Sequence, residues 1–125
     1  MKPGVFQDKV VLITGAASGI GQALSLEFAA AGVRLGLLDL DGEGVLAWAG
    51  FLRDKGYQAL PQACDVADET ACRSAVEAVL AHYGRLDVLV NNAGITQRDA
   101  FANTDPGVIR KVLDVNFFGA VNCTK

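Results

Sequence analysis

The run Val10-Val11-Leu12-Ile13-Thr14-Gly15-Ala16-Ala17-Ser18-Gly19-Ile20-Gly21 decides how this chain folds. Its apolar, β-branched start fits a buried strand, which Thr14-Gly15 ends. Apolar residues then recur at Ile20, Leu24, Phe28 and Ala31 before Gly32, the period and the stop signal of a helix. Strand, glycine turn and helix therefore follow one another directly. In that setting Gly15 can make the tight turn off the strand, Gly19 can let backbone approach a diphosphate, and Gly21 can let the helix pack close to the sheet. The helix start would add N–H groups and the positive end of its dipole. Glycines this close also suit a merely flexible turn, so the turn alone leaves both readings open.

Outward from this unit, apolar runs alternate with helical patterns to the end of the chain. The expected strands are residues 10–14, 33–39, 58–65 and 86–91. A second helix is expected over 42–55, weakened by Gly44 inside it. A third starts near Asp68, carries Cys72, Ala75, Val76, Val79, Leu80 and Tyr83 on one stripe, and stops at Gly84. The last begins at Thr104 or Asp105, with Pro106 in its first turn, and runs to the final residue. Such alternation is the pattern of an α/β protein, a Rossmann-like doubly wound parallel sheet. Pro61 places the third strand at a sheet edge, because proline cannot donate to neighbours on both sides. With right-handed crossovers, the strand order is then 3-2-1-4.

A chain of 125 residues suits one domain, here expected to span 1–125. An apolar fraction of 51% fits a sheet covered on both faces. The formal charge of -3 comes without runs of like charge, so nucleic acid and anionic membrane are poor partners. The N-terminus lacks the apolar run of a signal peptide, and a cytoplasmic protein is the default expectation. Cys64, Cys72 and Cys123 lack C-x-x-C spacing, which suggests reduced, mostly buried thiols and no metal site. His82, just before Gly84, is best read as a dipole contact at a helix end.

Asp39 ends the second strand, where a carboxylate can accept hydrogen bonds from both adenosine ribose hydroxyls and repel a 2′-phosphate. Arg34 lies at the other end of that strand, and no Lys or Arg follows Asp39 directly, so NAD is favoured over NADP. The competing reading is that Asp39 only begins a turn with Asp41 and Gly42.

The glycine spacing G-x-x-x-G-x-G differs from the general G-x-G-x-x-G fingerprint and resembles the short-chain dehydrogenase/reductase family. Asp65-Val66 after strand three, Asn91-Asn92-Ala93-Gly94 after strand four, and Asn116 in the last helix agree with it in order and position. The resemblance implies that Ser18 and Ile20 contact the diphosphate side, and that Asp65 and the Val66 backbone hold the adenine. By the same resemblance Asn91, with Ala93 and Gly94, lines the adenosine ribose and supports the central strands. Taken singly, Asp65 also suits a turn before a helix, and Asn91-Asn92 a strand terminator. Asn116 is an amide within the apolar stripe Ile109, Val112, Leu113, Ala120 and Cys123. The family implies a proton-relay role for it, against a structural amide joining helix and strand. Val108, Val115, Phe118 and Val121 give that helix a second apolar face, and the resemblance implies a homodimer or homotetramer formed through it.

The family's chemistry uses a Ser and a Tyr-x-x-x-Lys pair. Tyr57 precedes Pro61 and Tyr83 precedes Asp87 at that spacing, so neither tyrosine matches, and the chain alone is expected to be inactive. Strand four is likewise expected to have an open edge. The resemblance implies an NAD-dependent oxidoreductase interconverting a secondary alcohol and a ketone by hydride transfer, of which residues 1–125 would be the incomplete NAD(P)-binding Rossmann half, truncated before the remaining strands, with Asn116 its one catalytic residue within this sequence. The alternative is a non-catalytic dinucleotide-binding or scaffold module. An epimerase or dehydratase on the same fold is disfavoured by the glycine spacing and the Asn-Asn-Ala-Gly segment. A 3-oxoacyl reductase fits much of the pattern, but such enzymes usually prefer NADP, and Asp39 counts against it.

Overall fold

The computed structural model describes residues 4 and 6–92. The elements run β1 (Val10–Thr14), α1 (Gly19–Ala30), β2 (Arg34–Asp39), α2 (Gly42–Asp54), β3 (Ala59–Ala63), α3 (Glu69–Tyr83) and β4 (Val88–Val90). All strand pairs are parallel, in the order β3-β2-β1-β4. That is the order expected from Pro61, which registers with Leu37 on β2 at the sheet edge. The expected last helix lies outside the described residues.

Alternation along the central strands divides the core between the two faces of the sheet. Val11 and Ile13 of β1, with Leu35 and Leu37 of β2, pack among Phe28 of α1 and Val45, Ala49 and Leu52 of α2. Val10, Leu12 and Leu38 pack on the other face against Cys72, Ala75 and Val79 of α3. Each fully buried Leu, Ile or Val contributes about 1.5–3 kcal/mol. A strand buried on both faces has no polar alternation to show, which is why β1 reads as a continuous apolar run.

Helix ends follow the side chains that cap them. Ser18 accepts from the Gly21 amide at 3.1 Å, and Asp41 from Gly44 at 2.9 Å. A side chain at position 44 would collide with the Asp41 carboxylate, so the glycine that weakens α2 on propensity makes room for its cap. Asp68 accepts from Thr70 and Ala71 at 3.0 and 3.2 Å, and α3 closes at Gly84 in the left-handed conformation, φ 82°.

Three expectations shift. In α1 the buried face is Gly21, Ser25, Phe28 and Ala29, while Ile20 is 63% exposed. The stripe is displaced because Gly21 lies against the turn backbone and Ser25 finds partners inside, donating to the carbonyls of Gly21 and Gln22 and accepting from Trp48 Nε1. Leu80 of α3 is exposed, leaving Cys72, Ala75 and Val79 as that helix's buried line. Finally, β2, β3 and β4 are shorter than expected. Val33 donates to the Phe28 carbonyl at the end of α1. Asp65 starts a turn beyond β3, with Asp68 donating to its carbonyl. At β4, the Asp87 side chain takes the Val10 amide at 2.9 Å, and Asn92 donates to the Thr14 hydroxyl at 2.9 Å.

Candidate functional site at the carboxyl ends of the strands

With every strand parallel, the Gly15 turn, Asp39, Asp65 and Asn91-Asn92 all follow carboxyl ends on one edge of the sheet. That edge is where ligands bind in doubly wound folds.

The glycine turn is held from several sides. Gly15 adopts φ 64°, a left-handed conformation that disfavours any side chain. Its carbonyl accepts from the Ser18 amide at 3.2 Å and from the Ser18 hydroxyl at 2.8 Å. Ala16 donates to Leu38 O on β2 at 3.0 Å, and the Ala17 carbonyl accepts from Gln22 Nε2 at 3.2 Å. At position 21 a Cβ would strike the Gly15 carbonyl oxygen and lie 2.8 Å from Ala16 Cα. Gly21 is therefore needed for close approach to the turn after β1. At position 19 the opposite holds: a Cβ there meets nothing within 4 Å. Ser18, Gly19 and Ile20 are all exposed. The first amides of α1 have no intrahelical acceptor, and they open onto this space with the helix's positive end.

Asp39 lies against the same turn. Its Oδ2 accepts from the Ala17 amide at 2.8 Å and its Oδ1 from the Asp41 amide at 2.8 Å. The Asp41 bond is the turn-forming role weighed for this residue, and the Ala17 bond ties the carboxylate to the glycine turn. An ionised carboxylate has about four acceptor positions, so both oxygens keep capacity for a hydroxyl. Arg34 is at the far end of β2, where its Nη2 donates to Asp8 O at 2.7 Å and its guanidinium lies 5.7 Å from the Tyr83 ring centre.

On the other flank, Asn91 is exposed and its neighbour Asn92 makes the contacts. Asn92 Nδ2 donates to Gly15 O at 3.2 Å and to Ser18 Oγ at 3.3 Å, and its backbone amide donates to Thr14 Oγ1. Thr14 Oγ1 in turn donates to Val90 O at 3.3 Å. Sequence reasoning singled out Asn91 and passed over Asn92 and Thr14. The polar end of an otherwise apolar strand was the available signal for Thr14.

Asp65 caps its own turn, accepting from the Ala67 amide at 3.0 Å, and Val66 is buried beside Cys72, whose thiol donates to Val66 O at 3.4 Å. The structure thus brings together Gly15, Ser18, Gly21, Asp39 and Asn92, and puts Asp65 and Val66 at the end of the neighbouring strand. Ala93, Gly94 and Asn116 lie outside the described residues, as does Cys123.

Tyr83 is engaged elsewhere: its hydroxyl donates to Leu35 O at 2.8 Å, and burial pushes it up to about 12. His82 falls in the last turn of α3, stacked edge-on against Tyr83. Among the described residues no group of His, Cys, Asp and Glu is arranged to hold a metal ion, and no helix is long and apolar enough to cross a membrane.

Comparison with known proteins agrees with this geometry. The chain is 42% identical over 118 residues to 11-beta-hydroxysteroid dehydrogenase-like 6 of Arabidopsis thaliana, covering 93% of this chain and 34% of that protein. Among solved structures it resembles a 3-ketoacyl-(acyl-carrier-protein) reductase from Brucella melitensis complexed with NADH, with a TM-score of 0.85 and 36% identity over 95% of this chain and 48% of that one. It also resembles a short chain dehydrogenase/reductase from Burkholderia phymatum in complex with NAD, with a TM-score of 0.86 and 28% identity over 95% of this chain and 42% of that one. The chain thus spans less than half the length of each of these relatives. The family model for short chain dehydrogenase matches residues 9–125, and the chain belongs to that family of oxidoreductases.

Proposed function

We propose that this chain supplies the NAD-binding half of an oxidoreductase that interconverts a secondary alcohol and a ketone. One observation carries the reading: within a turn where Gly15 and Gly21 are required by the fold, Gly19 is not, and it stands exposed at a helix start where an added Cβ meets nothing within 4 Å. Set beside the free amides at the start of α1, a methyl at this position would stand in the way of an approaching diphosphate, which is the close-approach role that glycine serves.

The residues present fit a dinucleotide. The amides at the start of α1 would take the diphosphate, with Ser18 fixing the turn that aims them. Asp39 would accept from the adenosine ribose while holding Ala17 in place, and its charge would disfavour a 2′-phosphate. Asp65 and the Val66 backbone would hold the adenine, with Asn91, Ala93 and Gly94 on the ribose side. When bound, the nicotinamide supplies the hydride chemistry. A proton-relay role for Asn116, pairing of subunits through the last helix expected from the sequence, and a cytoplasmic setting belong to the same proposal.

The test is calorimetric titration of the full chain and of Asp39→Ala with NAD and with NADP. The parent chain should prefer NAD by about tenfold or more, equivalent to about 1.4 kcal/mol, and the variant should lose that preference. Equal affinities in the parent chain, or an unchanged ratio in the variant, would overturn the assignment of Asp39.

A further inference from the structure

Two thiols that the dinucleotide reading does not use meet inside the molecule. Cys64 follows β3 and Cys72 sits in the first turn of α3, and their sulfur atoms are 4.0 Å apart. Both are buried, Cys64 at 5% exposure and Cys72 at 0%. The chain between them is a fixed turn: Asp65 accepts from Ala67, Asp68 donates back to Asp65 O at 2.9 Å, and the Asp68 side chain caps α3. That turn holds the sulfurs in contact, so the entropy of bringing them together is spent in folding. With no third metal-ligating residue grouped with them among the described residues, a metal site is the weaker reading.

We propose that Cys64 and Cys72 form a dithiol that a small hydroperoxide converts to an intrachain disulfide, tying the end of β3 to the start of α3. Cys64, the more accessible of the two, reacts first. Its sulfur attacks a peroxide oxygen; the O–O bond breaks, an S–O bond forms, and one water or alcohol leaves with the thiol proton. Cys72 sulfur then attacks Cys64 sulfur, the S–O bond breaks, and a second water carries away the Cys72 proton. Two thiols are oxidised by two electrons and one peroxide is reduced. A lone sulfenic acid climbs towards sulfinic acid, whereas a thiol in contact with it diverts it to a reversible disulfide. Closure shortens the sulfur separation from 4.0 Å to about 2.05 Å and removes the thiol donor to Val66 O. Burial first, then the neighbouring Cys72, Asp65 and Asp68, pushes the Cys64 thiol up to about 12, so little thiolate is present at neutral pH and the reaction is slow.

The test exposes the folded full chain to hydrogen peroxide, alkylates the remaining thiols after unfolding, and digests with trypsin. Residues 56–73 form one tryptic peptide carrying both cysteines. The expected product is that peptide unalkylated and lighter by two hydrogens, restored by reductant. Alkylation of both thiols after prolonged exposure, or a sulfinic or sulfonic product in place of the disulfide, would overturn the proposal. As a second reading, dimedone trapping of sulfenic acid at Cys64 should rise at least about tenfold in Cys72→Ala, which lacks the resolving thiol. Equal trapping in the parent chain and the variant would also overturn it.

Discussion

Replacing Gly19 by alanine separates what the fold needs from what a ligand needs. Position 19 is the first residue of α1, it does not have a left-handed φ, and an added Cβ meets nothing within 4 Å. Alanine there restricts the unfolded chain and favours helix, so stability should stay level or rise by about 0.4–1 kcal/mol. Gly21→Ala is the contrasting change. Its methyl would run into the Gly15 carbonyl oxygen and lie 2.9 Å from Gly15 C, both backbone atoms that cannot rotate away. Overpacking of that kind costs about 1–3 kcal/mol. If a diphosphate rests against the amides at the start of α1, the methyl at 19 takes up part of its space. The same range of overpacking, about 1–3 kcal/mol, then falls on the complex and weakens NAD by about 5- to 150-fold. Urea denaturation reads the first quantity and calorimetric titration the second. NAD affinity within twofold of the parent chain in a stable Gly19→Ala variant would refute the reasoning. So would a Gly19→Ala variant as destabilised as Gly21→Ala, since the fold would then account for the glycine.

Asn92→Ala should cost about 1 kcal/mol in urea denaturation, because the side chain gives up its bonds to Gly15 O and Ser18 Oγ; an unchanged midpoint would show that Asn92 does not brace the turn. Asp87 gives a pH test. Its hydrogen bond from Arg85, joined by the one from the Val10 amide, holds its carboxyl below the usual range. A carboxyl depressed in the folded state contributes stability that is fully present above its unfolded value, about pH 4, and is lost as pH falls through the folded one. The parent chain's urea midpoint should therefore fall on acidification below about pH 4, and Asp87→Asn should flatten that fall. An equally steep decline in the variant would assign the acid sensitivity to other groups.

Elements whose signal is local were legible from sequence. The β1 run, the Gly15 turn and the Asp68 to Gly84 limits of α3 each depend on residues within a few positions, and each is where the sequence places it. Pro61 fixed the sheet order because one missing N–H excludes a central position. What sequence concealed depends on contacts across the chain. The face of α1 is set by Gly21 meeting the backbone of Gly15 and Ala16, and by Ser25 meeting Trp48 from α2. Periodicity, which counts apolar residues alone, assigned that face to Ile20. At Gly36 on β2, α3 packs so closely that a Cβ would lie 2.8 Å from both Leu12 Cδ1 and Val79 Cγ2, a contact no local pattern announces. Asn92 was missed in favour of Asn91 because the two are chemically identical and only register against Thr14 tells them apart.

The two readings of Asp39 turn out to be compatible. Its bonds to Ala17 and Asp41 occupy one acceptor direction on each oxygen, and a ribose would use the others. This double duty also means that removing the carboxylate harms the fold. Losing the half-buried, charge-assisted bond to Ala17 should cost about 1.5–3 kcal/mol. Weaker NAD binding by Asp39→Ala would therefore be ambiguous, since a loosened turn weakens any dinucleotide. The ratio of NAD to NADP affinity is not: turn distortion acts on the diphosphate both cofactors share, while the ribose contact and the repulsion of a 2′-phosphate act on the one group by which they differ.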